Sequence, residues 1–179
     1  MQRLIATLLI CGAITAPAFA ALKAGDKAPV FTTQASLGGQ VFTYSLADAL
    51  KKGPVVLYFY PAAFTKGCAI EAHLFADAVD KYKALGATLI GVSADNIDTL
   101  NKFSVSECRS KFPVAADQDQ SIMKSYDSVL LYKTGYADRV SYVIAPNGSI
   151  VYEYSSMDPD KHVSNTLQAL EQWVAKQKK

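Results

Sequence analysis

The sequence predicts an α/β fold in which helices flank a mixed central β-sheet. Short runs of apolar, β-branched and aromatic residues alternate with longer stretches of helical periodicity, which is typical of parallel strands covered by helices. Near the C-terminus, two further apolar runs flank the turn sequence Pro-Asn-Gly, which predicts an antiparallel hairpin. Parallel strands and a hairpin within one chain together indicate a mixed sheet.

The first half of the pattern is a strand–helix–strand unit. Residues 55–60, VVLYFY, form a continuous apolar run between a Gly-Pro pair and Pro61, which predicts a strand buried on both faces. A helix is predicted from Thr65 to about residue 85, where Gly86 ends it. A second buried strand and a second helix follow, at residues 87–94 and 96–111.

The second half predicts three shorter strands and two further helices. Asp158 and Pro159 supply an N-cap and a first helical residue for the last helix. The whole order is compatible with a thioredoxin-like topology, although composition alone leaves other α/β layouts open. The predicted strands are residues 112–116, 140–145 and 150–154, and the short helix is 120–126.

The N-terminal segment predicts a signal peptide over residues 1–20. It has a basic start, an apolar stretch and an Ala-Phe-Ala cleavage signal, so we expect cleavage after Ala20 and a periplasmic or secreted protein. Cys11 follows a bulky Leu-Ile pair, which disfavours lipidation because a small residue normally precedes a lipidated cysteine. Residues 21–179 then form one domain.

Composition argues against several classes of partner. The formal net charge is only +2, and no basic cluster precedes the terminal lysines at 176–179. We therefore expect no binding to nucleic acid and none to membrane surfaces. We also expect no metal and no cofactor.

Cys68 lies at the predicted start of a long helix. If Thr65 is the N-cap, Cys68 falls in the first turn, where free amide N–H groups and the helix dipole favour a thiolate. Gly67 leaves room beside the sulfur. Position alone is equally consistent with a buried packing residue, or with half of a structural disulfide to Cys108.

The residues around Cys68 carry a specific resemblance. Pro61, Thr65 and Cys68 spell P-x-x-x-T-x-x-C directly after a buried strand. This resembles the peroxidatic loop of the peroxiredoxins, and residues 57–72 look most like the bacterioferritin-comigratory or Q-type branch. Three further segments match in the same order: GDKAP at 25–29, GVSAD at 91–95 and RVSYVIAPNG at 139–148.

The resemblance implies roles for the residues of the loop. Cys68 would attack the O–O bond of hydrogen peroxide or an organic hydroperoxide and become a sulfenic acid. Thr65 would hydrogen-bond the substrate and the thiolate, and Pro61 would shield the sulfur. Arg139 would stabilise the thiolate and the leaving oxygen, since preorganised donors lower such barriers. Glu71 would orient Arg139, or would be an ordinary exposed carboxylate.

The second half of the cycle is less determined by the sequence. His73 lies where many Q-type members carry the resolving cysteine, so that role falls to Cys108, to an external thiol, or to no residue. We favour Cys108, with Arg109 beside it to promote its ionisation. The resemblance further implies a thioredoxin-like or other thiol reductant, and a monomer or weak dimer.

Two other functions compete with this interpretation. One is an exported thioredoxin-like thiol–disulfide oxidoreductase, which the absence of a C-x-x-C motif disfavours. The other is a non-catalytic domain stapled by a Cys68–Cys108 disulfide.

Overall fold

The protein is described by a computed structural model that covers residues 21–177. The signal peptide predicted for residues 1–20 lies outside these described residues. Within them, one mixed sheet of seven strands is covered by helices on both faces. The strands are β1 (Thr32–Leu37), β2 (Gln40–Ser45), β3 (Val55–Phe59), β4 (Thr88–Ser93), β5 (Val114–Ala116), β6 (Val140–Ile144) and β7 (Ile150–Ser155). The helices are α1 (Leu46–Leu50), α2 (Lys66–Ala84), α3 (Ile97–Ser106), α4 (Ser121–Ser125) and α5 (His162–Gln177).

Strand β3 lies near the middle of the sheet, whose order is β2-β1-β5-β4-β3-β6-β7. It runs parallel to β4 and antiparallel to β6, and all five of its residues are buried. The predictions of a mixed sheet and of a doubly buried strand after residue 54 are therefore confirmed. Because β6 is antiparallel to β3, its first residue, Val140, pairs with Phe59, the last residue of β3. The start of β6 thus adjoins the loop that leaves β3.

The two faces of the sheet carry separate hydrophobic cores. Helices α1 and α4 contribute to one core, through residues such as Leu46 and Met123. Helices α2, α3 and α5 contribute to the other, through residues such as Phe75, Phe103 and Leu170. Cys68 and Cys108 both belong to this second core, so the two thiols lie on the same side of the sheet.

A hairpin and a short helix precede the region where strands were predicted. Strands β1 and β2 pair antiparallel around Gly38 and Gly39, whose φ angles of +55° and +82° suit the left-handed backbone of a tight turn. Strand β1 also pairs with β5, which extends the sheet on that side. The Gly-Gly pair was the sequence feature that could have indicated this hairpin, but the residues on either side of it do not alternate clearly between apolar and polar.

Helix α3 ends earlier than predicted, at Ser106 rather than residue 111. Arg109 and Ser110 adopt left-handed backbone conformations, with φ of 51° and 55°, which no α-helix continues through. The Cys108 N–H donates to the Phe103 carbonyl at 3.1 Å and the Ser110 N–H to the Ser104 carbonyl at 2.9 Å, so the chain closes in a wide turn. Cys108 therefore lies in this turn after the helix.

The C-terminal helix begins as predicted, with one addition. Asp158 accepts a hydrogen bond from the Asp160 N–H at 3.1 Å and caps a 3₁₀ turn, Pro159–Lys161, that leads into α5. His162 is thereby placed at the first position of α5, with its side chain fully buried. Among residues 21–177, no helix is both long enough and apolar enough to cross a membrane.

Candidate active site

The loop between β3 and α2 is fastened to the end of β4. The Tyr60 N–H donates to the Val92 carbonyl at 3.1 Å. The Ala63 N–H donates to Asp95 Oδ2 at 2.7 Å, and Ser93 Oγ donates to the same oxygen at 2.8 Å. Asp95 was not predicted as a site residue. Its position at the end of the GVSAD segment was the sequence feature that could have indicated it. The loop that precedes Cys68 is thus held by a carboxylate from the segment that directly follows the neighbouring strand β4.

Thr65 is the N-cap residue of α2 by its backbone, as predicted, with φ −74° and ψ 149°. Its hydroxyl donates to the Ala62 carbonyl at 3.0 Å, whereas a hydrogen bond to Cys68 was expected. The Thr65 carbonyl accepts from the Ala69 N–H at 2.9 Å, which closes the first helical turn. Pro61 lies half-buried at the start of the same loop. The side chain of Thr65 therefore stabilises the loop in this conformation.

Cys68 is buried beside a guanidinium group. Its side chain is 1% exposed, and Arg139 Nη2 lies 3.4 Å from its sulfur. Arg139 directly precedes β6, and the antiparallel pairing of β6 with β3 brings it to the loop. A Cβ at Gly67 would lie 3.2 Å from Arg139 Nη2, so the glycine makes room for the guanidinium. The structure thus brings Cys68, Gly67 and Arg139 together.

Arg139 is held by two further acceptors. Nη1 donates to Glu71 Oε2 in a buried hydrogen bond, and Nε donates to the Met157 carbonyl at 3.1 Å. Burial by itself lowers the pKa of Arg139, but its electrostatic and hydrogen-bonding interactions with Glu71 and Cys68 outweigh burial and raise that pKa above its ordinary value. Glu71 is fully buried rather than an exposed helix carboxylate. The guanidinium therefore stays charged, and its two terminal nitrogens are fixed between the Glu71 carboxyl group and the Cys68 sulfur.

Burial has the opposite effect on the carboxyl group itself. It raises the pKa of Glu71 to about 8, although the neighbouring charge of Arg139 and its hydrogen bond act to lower it. The Glu71 carboxyl thus holds a proton far more readily than an exposed glutamate does.

His162 was not predicted as part of the site. Its Nδ1 lies 2.8 Å from Ser141 Oγ and 3.6 Å from Glu71 Oε1, and its Nε2 lies 2.9 Å from the Ser156 carbonyl oxygen. Burial lowers the pKa of His162 to about 4, so the imidazole is neutral near pH 7. No local motif marks this residue, because its position depends on how α5 packs against β6.

Cys108 is fully buried, and within the described chain both its thiol and that of Cys68 are free. Burial strongly raises the pKa of Cys108, and the charge of Glu107 adds to this effect. Arg109 donates instead to Asp77 Oδ1 at 2.5 Å. The prediction that Arg109 promotes ionisation of Cys108 is therefore wrong, because its side chain is engaged on helix α2.

Helix α2 contacts the Cys108 turn through a second surface pair. His73 Nε2 lies 2.8 Å from Glu107 Oε2, and the His73 side chain is 40% exposed. His73 is thus a surface residue that joins α2 to the end of α3. Among residues 21–177, no group of three or more histidine, cysteine, aspartate or glutamate side chains is placed to hold a metal ion.

Comparison with known proteins places this geometry in a family. Residues 24–153 match the model of the AhpC/TSA family. The chain is 31% identical over 171 residues to a chloroplastic peroxiredoxin Q of Triticum aestivum, covering 95% of this chain and 73% of that protein. It is also 31% identical over 164 residues to a chloroplastic peroxiredoxin Q of Oryza sativa subsp. japonica, covering 91% and 70%.

Solved structures agree with the sequence comparison. Peroxidoxin BcpB of Mycobacterium tuberculosis superposes with a TM-score of 0.76 at 28% identity, covering 84% of this chain and 97% of that one. Peroxiredoxin Q of Xanthomonas campestris superposes with a TM-score of 0.68 at 25% identity, covering 79% and 90%. The predicted thioredoxin-like fold is confirmed by these neighbours.

The prediction of a periplasmic or secreted protein is wrong, because the similar peroxiredoxin Q proteins are chloroplastic. A basic start followed by an apolar stretch is a compositional pattern, and composition alone does not fix a destination. The family assignment does not depend on that segment, since the matched region begins at residue 24. The chain therefore belongs to the AhpC/TSA family and is a peroxiredoxin, an enzyme that reduces peroxides at the expense of thiols.

Proposed function

We propose that Cys68 is the peroxidatic cysteine for hydrogen peroxide and organic hydroperoxides. The observation that carries this proposal is the 3.4 Å contact between Arg139 Nη2 and Cys68 Sγ at the start of α2. A fixed cation and the free N–H groups of the first helical turn both stabilise a thiolate. The arginine beside Cys108, Arg109, pairs with Asp77 instead, and burial raises the pKa of Cys108. Of the two thiols, Cys68 is therefore the nucleophile.

The proposed reaction uses the Cys68 thiolate, the Arg139 guanidinium and the hydroperoxide. The Cys68 thiolate attacks one oxygen of the hydroperoxide, so that an S–O bond forms while the O–O bond breaks. The cysteine is oxidised to a sulfenic acid, and the leaving oxygen departs as alkoxide or hydroxide and takes up a proton. Arg139 stabilises negative charge first on the sulfur and then on the departing oxygen. No cofactor enters the balance.

Thr65 and Pro61 complete the loop in this proposal. The Thr65 hydroxyl donates to Ala62, a loop carbonyl at the surface, and it can rotate towards a bound hydroperoxide. Pro61 has no N–H and is half-buried where β3 ends, and in this proposal its ring shields the Cys68 sulfur. Thr65 thus acts on the substrate, and Pro61 shapes the entrance.

Resolution of the sulfenic acid is assigned to Cys108. Its thiol would displace water from the Cys68 sulfenic acid and form a disulfide, which a thioredoxin-like or other thiol reductant then reduces. Both sulfurs are buried, so the Cys108 turn must open for this exchange. The left-handed residues Arg109 and Ser110 support such opening, because each costs about 1–2 kcal/mol relative to a right-handed conformation.

The competing functions are not favoured by the comparisons, since the matched family is AhpC/TSA and the relatives named above are peroxiredoxins. The proposal includes a monomer or weak dimer, which sedimentation velocity across a range of concentrations tests directly.

The test of the nucleophile is a single turnover with hydrogen peroxide. Reduced wild-type protein should consume one equivalent rapidly, and Cys68→Ser should consume none at that rate. Cys108→Ser is the matched control, because it removes the other buried thiol and should keep the fast first step. Retention of fast consumption by Cys68→Ser would contradict the proposal.

A further inference from the structure

Four groups that can carry charge are packed into one buried cluster behind the loop. Cys68, Glu71, Arg139 and His162 are each between 0% and 3% exposed. Arg139 is a permanent cation. If the Cys68 thiolate and the Glu71 carboxylate were both ionised beside a neutral His162, the cluster would carry a net negative charge away from water, which is costly. One additional proton makes the cluster neutral.

The hydrogen bonds of His162 indicate that the additional proton is not on the imidazole ring. Nε2 lies 2.9 Å from the carbonyl oxygen of Ser156, which can only accept, so Nε2 carries the hydrogen. A neutral imidazole then has an unprotonated Nδ1, which accepts from the Ser141 hydroxyl at 2.8 Å. The edge of the ring that faces Glu71 is therefore an acceptor.

The carboxyl group meets this edge with its free oxygen. Glu71 Oε2 accepts from Arg139, but Glu71 Oε1 has no hydrogen-bond partner among residues 21–177. Oε1 lies 3.6 Å from His162 Nδ1. An ionised carboxylate would turn an unsatisfied negative oxygen towards an imidazole lone pair, whereas a protonated oxygen removes that repulsion.

We propose that Glu71 is protonated while Cys68 is a thiolate, and that the neutral His162, with its hydrogen on Nε2, is the positioning residue that keeps Glu71 neutral. Glu71 then accepts from Arg139 without cancelling its charge, and the guanidinium remains available to the sulfur. The inference rests on the proposed role of Cys68 as nucleophile. The direction of both pKa shifts agrees, since burial favours the neutral form of each partner.

Other titratable or aromatic groups also lie near Glu71 and His162. Glu71 also faces Tyr58, whose pKa burial raises well above the ordinary value, so this phenol stays neutral. His162 also faces Asp158 and the edge of the Tyr154 ring, with 4.8 Å between ring centroids. Loss of the Glu71 proton at high pH would leave a carboxylate that competes with Cys68 for Arg139. Reactivity with peroxide should therefore fall when Glu71 ionises.

The first test compares the pH dependence of the second-order rate constant with hydrogen peroxide in the full chain and in Glu71→Gln. With a pKa of about 8, the wild-type rate should be about tenfold lower at pH 9 than at pH 7. Glutamine keeps an oxygen that accepts from Arg139 but cannot ionise, so the fall should be absent in the variant. An equal fall in both proteins, or none in the wild type, overturns the inference.

A second measurement does not depend on the variant. The chain has two histidines, so ¹⁵N imidazole spectra of the wild type can be assigned with His73→Gln, a surface change. At pH 7 His162 should be neutral with hydrogen on Nε2, and its Nδ1 signal should shift as pH rises through about 8. An imidazolium at pH 7 contradicts the inference. If Cys68→Ser keeps fast peroxide reduction, the proposed function fails instead, whatever the spectra show.

Discussion

The backbone N–H of Ala63 donates to the carboxylate of Asp95 at 2.7 Å, so the active loop is tied to the end of the adjacent parallel strand. Because Ser93 donates to the same oxygen, Asp95 links β4 to the loop through two hydrogen bonds. The position of Cys68 therefore depends on a residue 27 positions along the chain as well as on its own helix.

Asp95→Ala should loosen the loop. It leaves the Ala63 N–H and the Ser93 hydroxyl without their acceptor, which costs about 1–3 kcal/mol in the free energy of unfolding. We expect the rate of the first step with peroxide to fall about tenfold, because a small displacement of the nucleophile is sufficient for such a loss. Stopped-flow kinetics and urea unfolding measure the two effects. Asp95→Asn is the control, since its amide oxygen still accepts and should recover most of both.

Arg139→Ala should slow the single-turnover reaction by about 10²–10³, the cost typical of removing one preorganised donor. Arg139→Lys should recover only part of this, because one ammonium cannot contact Glu71, Met157 and Cys68 together. Arg109→Ala serves as the matched control. It removes an exposed guanidinium that pairs with Asp77, and the first step with peroxide should be unchanged. Equal losses in the Arg139 and Arg109 variants would contradict the role given to Arg139.

Gly67→Ala should change stability and reactivity in opposite directions. Alanine favours helix over glycine by up to about 1 kcal/mol, yet its Cβ would lie 3.2 Å from Arg139 Nη2 and push the guanidinium away from the sulfur. We expect unchanged or higher resistance to urea together with a slower first step. Lys66→Ala changes an exposed residue of the same turn and should leave the first step as it is. A Gly67→Ala protein that reacts as fast as wild type would show that the added Cβ does not displace the guanidinium from Cys68.

Some parts of this site could be predicted from the sequence because they are local. The motif around Cys68, the N-cap at Thr65 and the turn after β6 depend on neighbouring residues. The partners Asp95, Ser141 and His162 could not be predicted this way, because each reaches the site through packing between elements distant in sequence. The early end of α3 was missed for a related reason. Arg109 and Ser110 take left-handed conformations without a glycine or proline to signal them.

In the Cys68→Ser protein, where no thiolate at position 68 titrates in the opposite sense, the free energy of unfolding should fall as pH rises from 6.5 to 8. Burial raises the folded pKa of Glu71 from 4.5 to about 8, so its contribution is complete below pH 4.5 and is lost towards pH 8. The pKa of His162 is lowered from 6.5 to about 4, so its contribution increases between pH 4 and 6.5. The two slopes oppose each other up to pH 6.5, and only that of Glu71 remains above it.

The expected loss over this interval is at most about 2 kcal/mol, from 1.4 kcal/mol for each pH unit. Urea unfolding at pH 6.5 and pH 8 measures it. The double variant Cys68→Ser, Glu71→Gln has neither the thiol nor the carboxyl group, so its stability should not change over the same range. A Cys68→Ser protein that is equally stable at both pH values would show that Glu71 is not protonated preferentially in the folded state.

The role of Cys108 is tested by the fate of the oxidised enzyme. One equivalent of peroxide should convert wild type to an intramolecular Cys68–Cys108 disulfide, identified by peptide mapping. In Cys108→Ser no internal thiol reaches the sulfenic acid, so Cys68 should accumulate as sulfenic and then sulfinic acid with excess peroxide. Turnover with a dithiol reductant should fall while the first step stays fast.

An inert structural role for Cys108 predicts different results. Its loss would then lower stability without any link between turnover and over-oxidation. Cys108→Ala separates the two cases further, because it removes the thiol while keeping an apolar side chain in the buried turn, and it should over-oxidise as Cys108→Ser does. If Cys108 stays free in oxidised wild type, the sulfenic acid is reduced directly by an external thiol, and the opening of the turn at Arg109 and Ser110 has no part in catalysis.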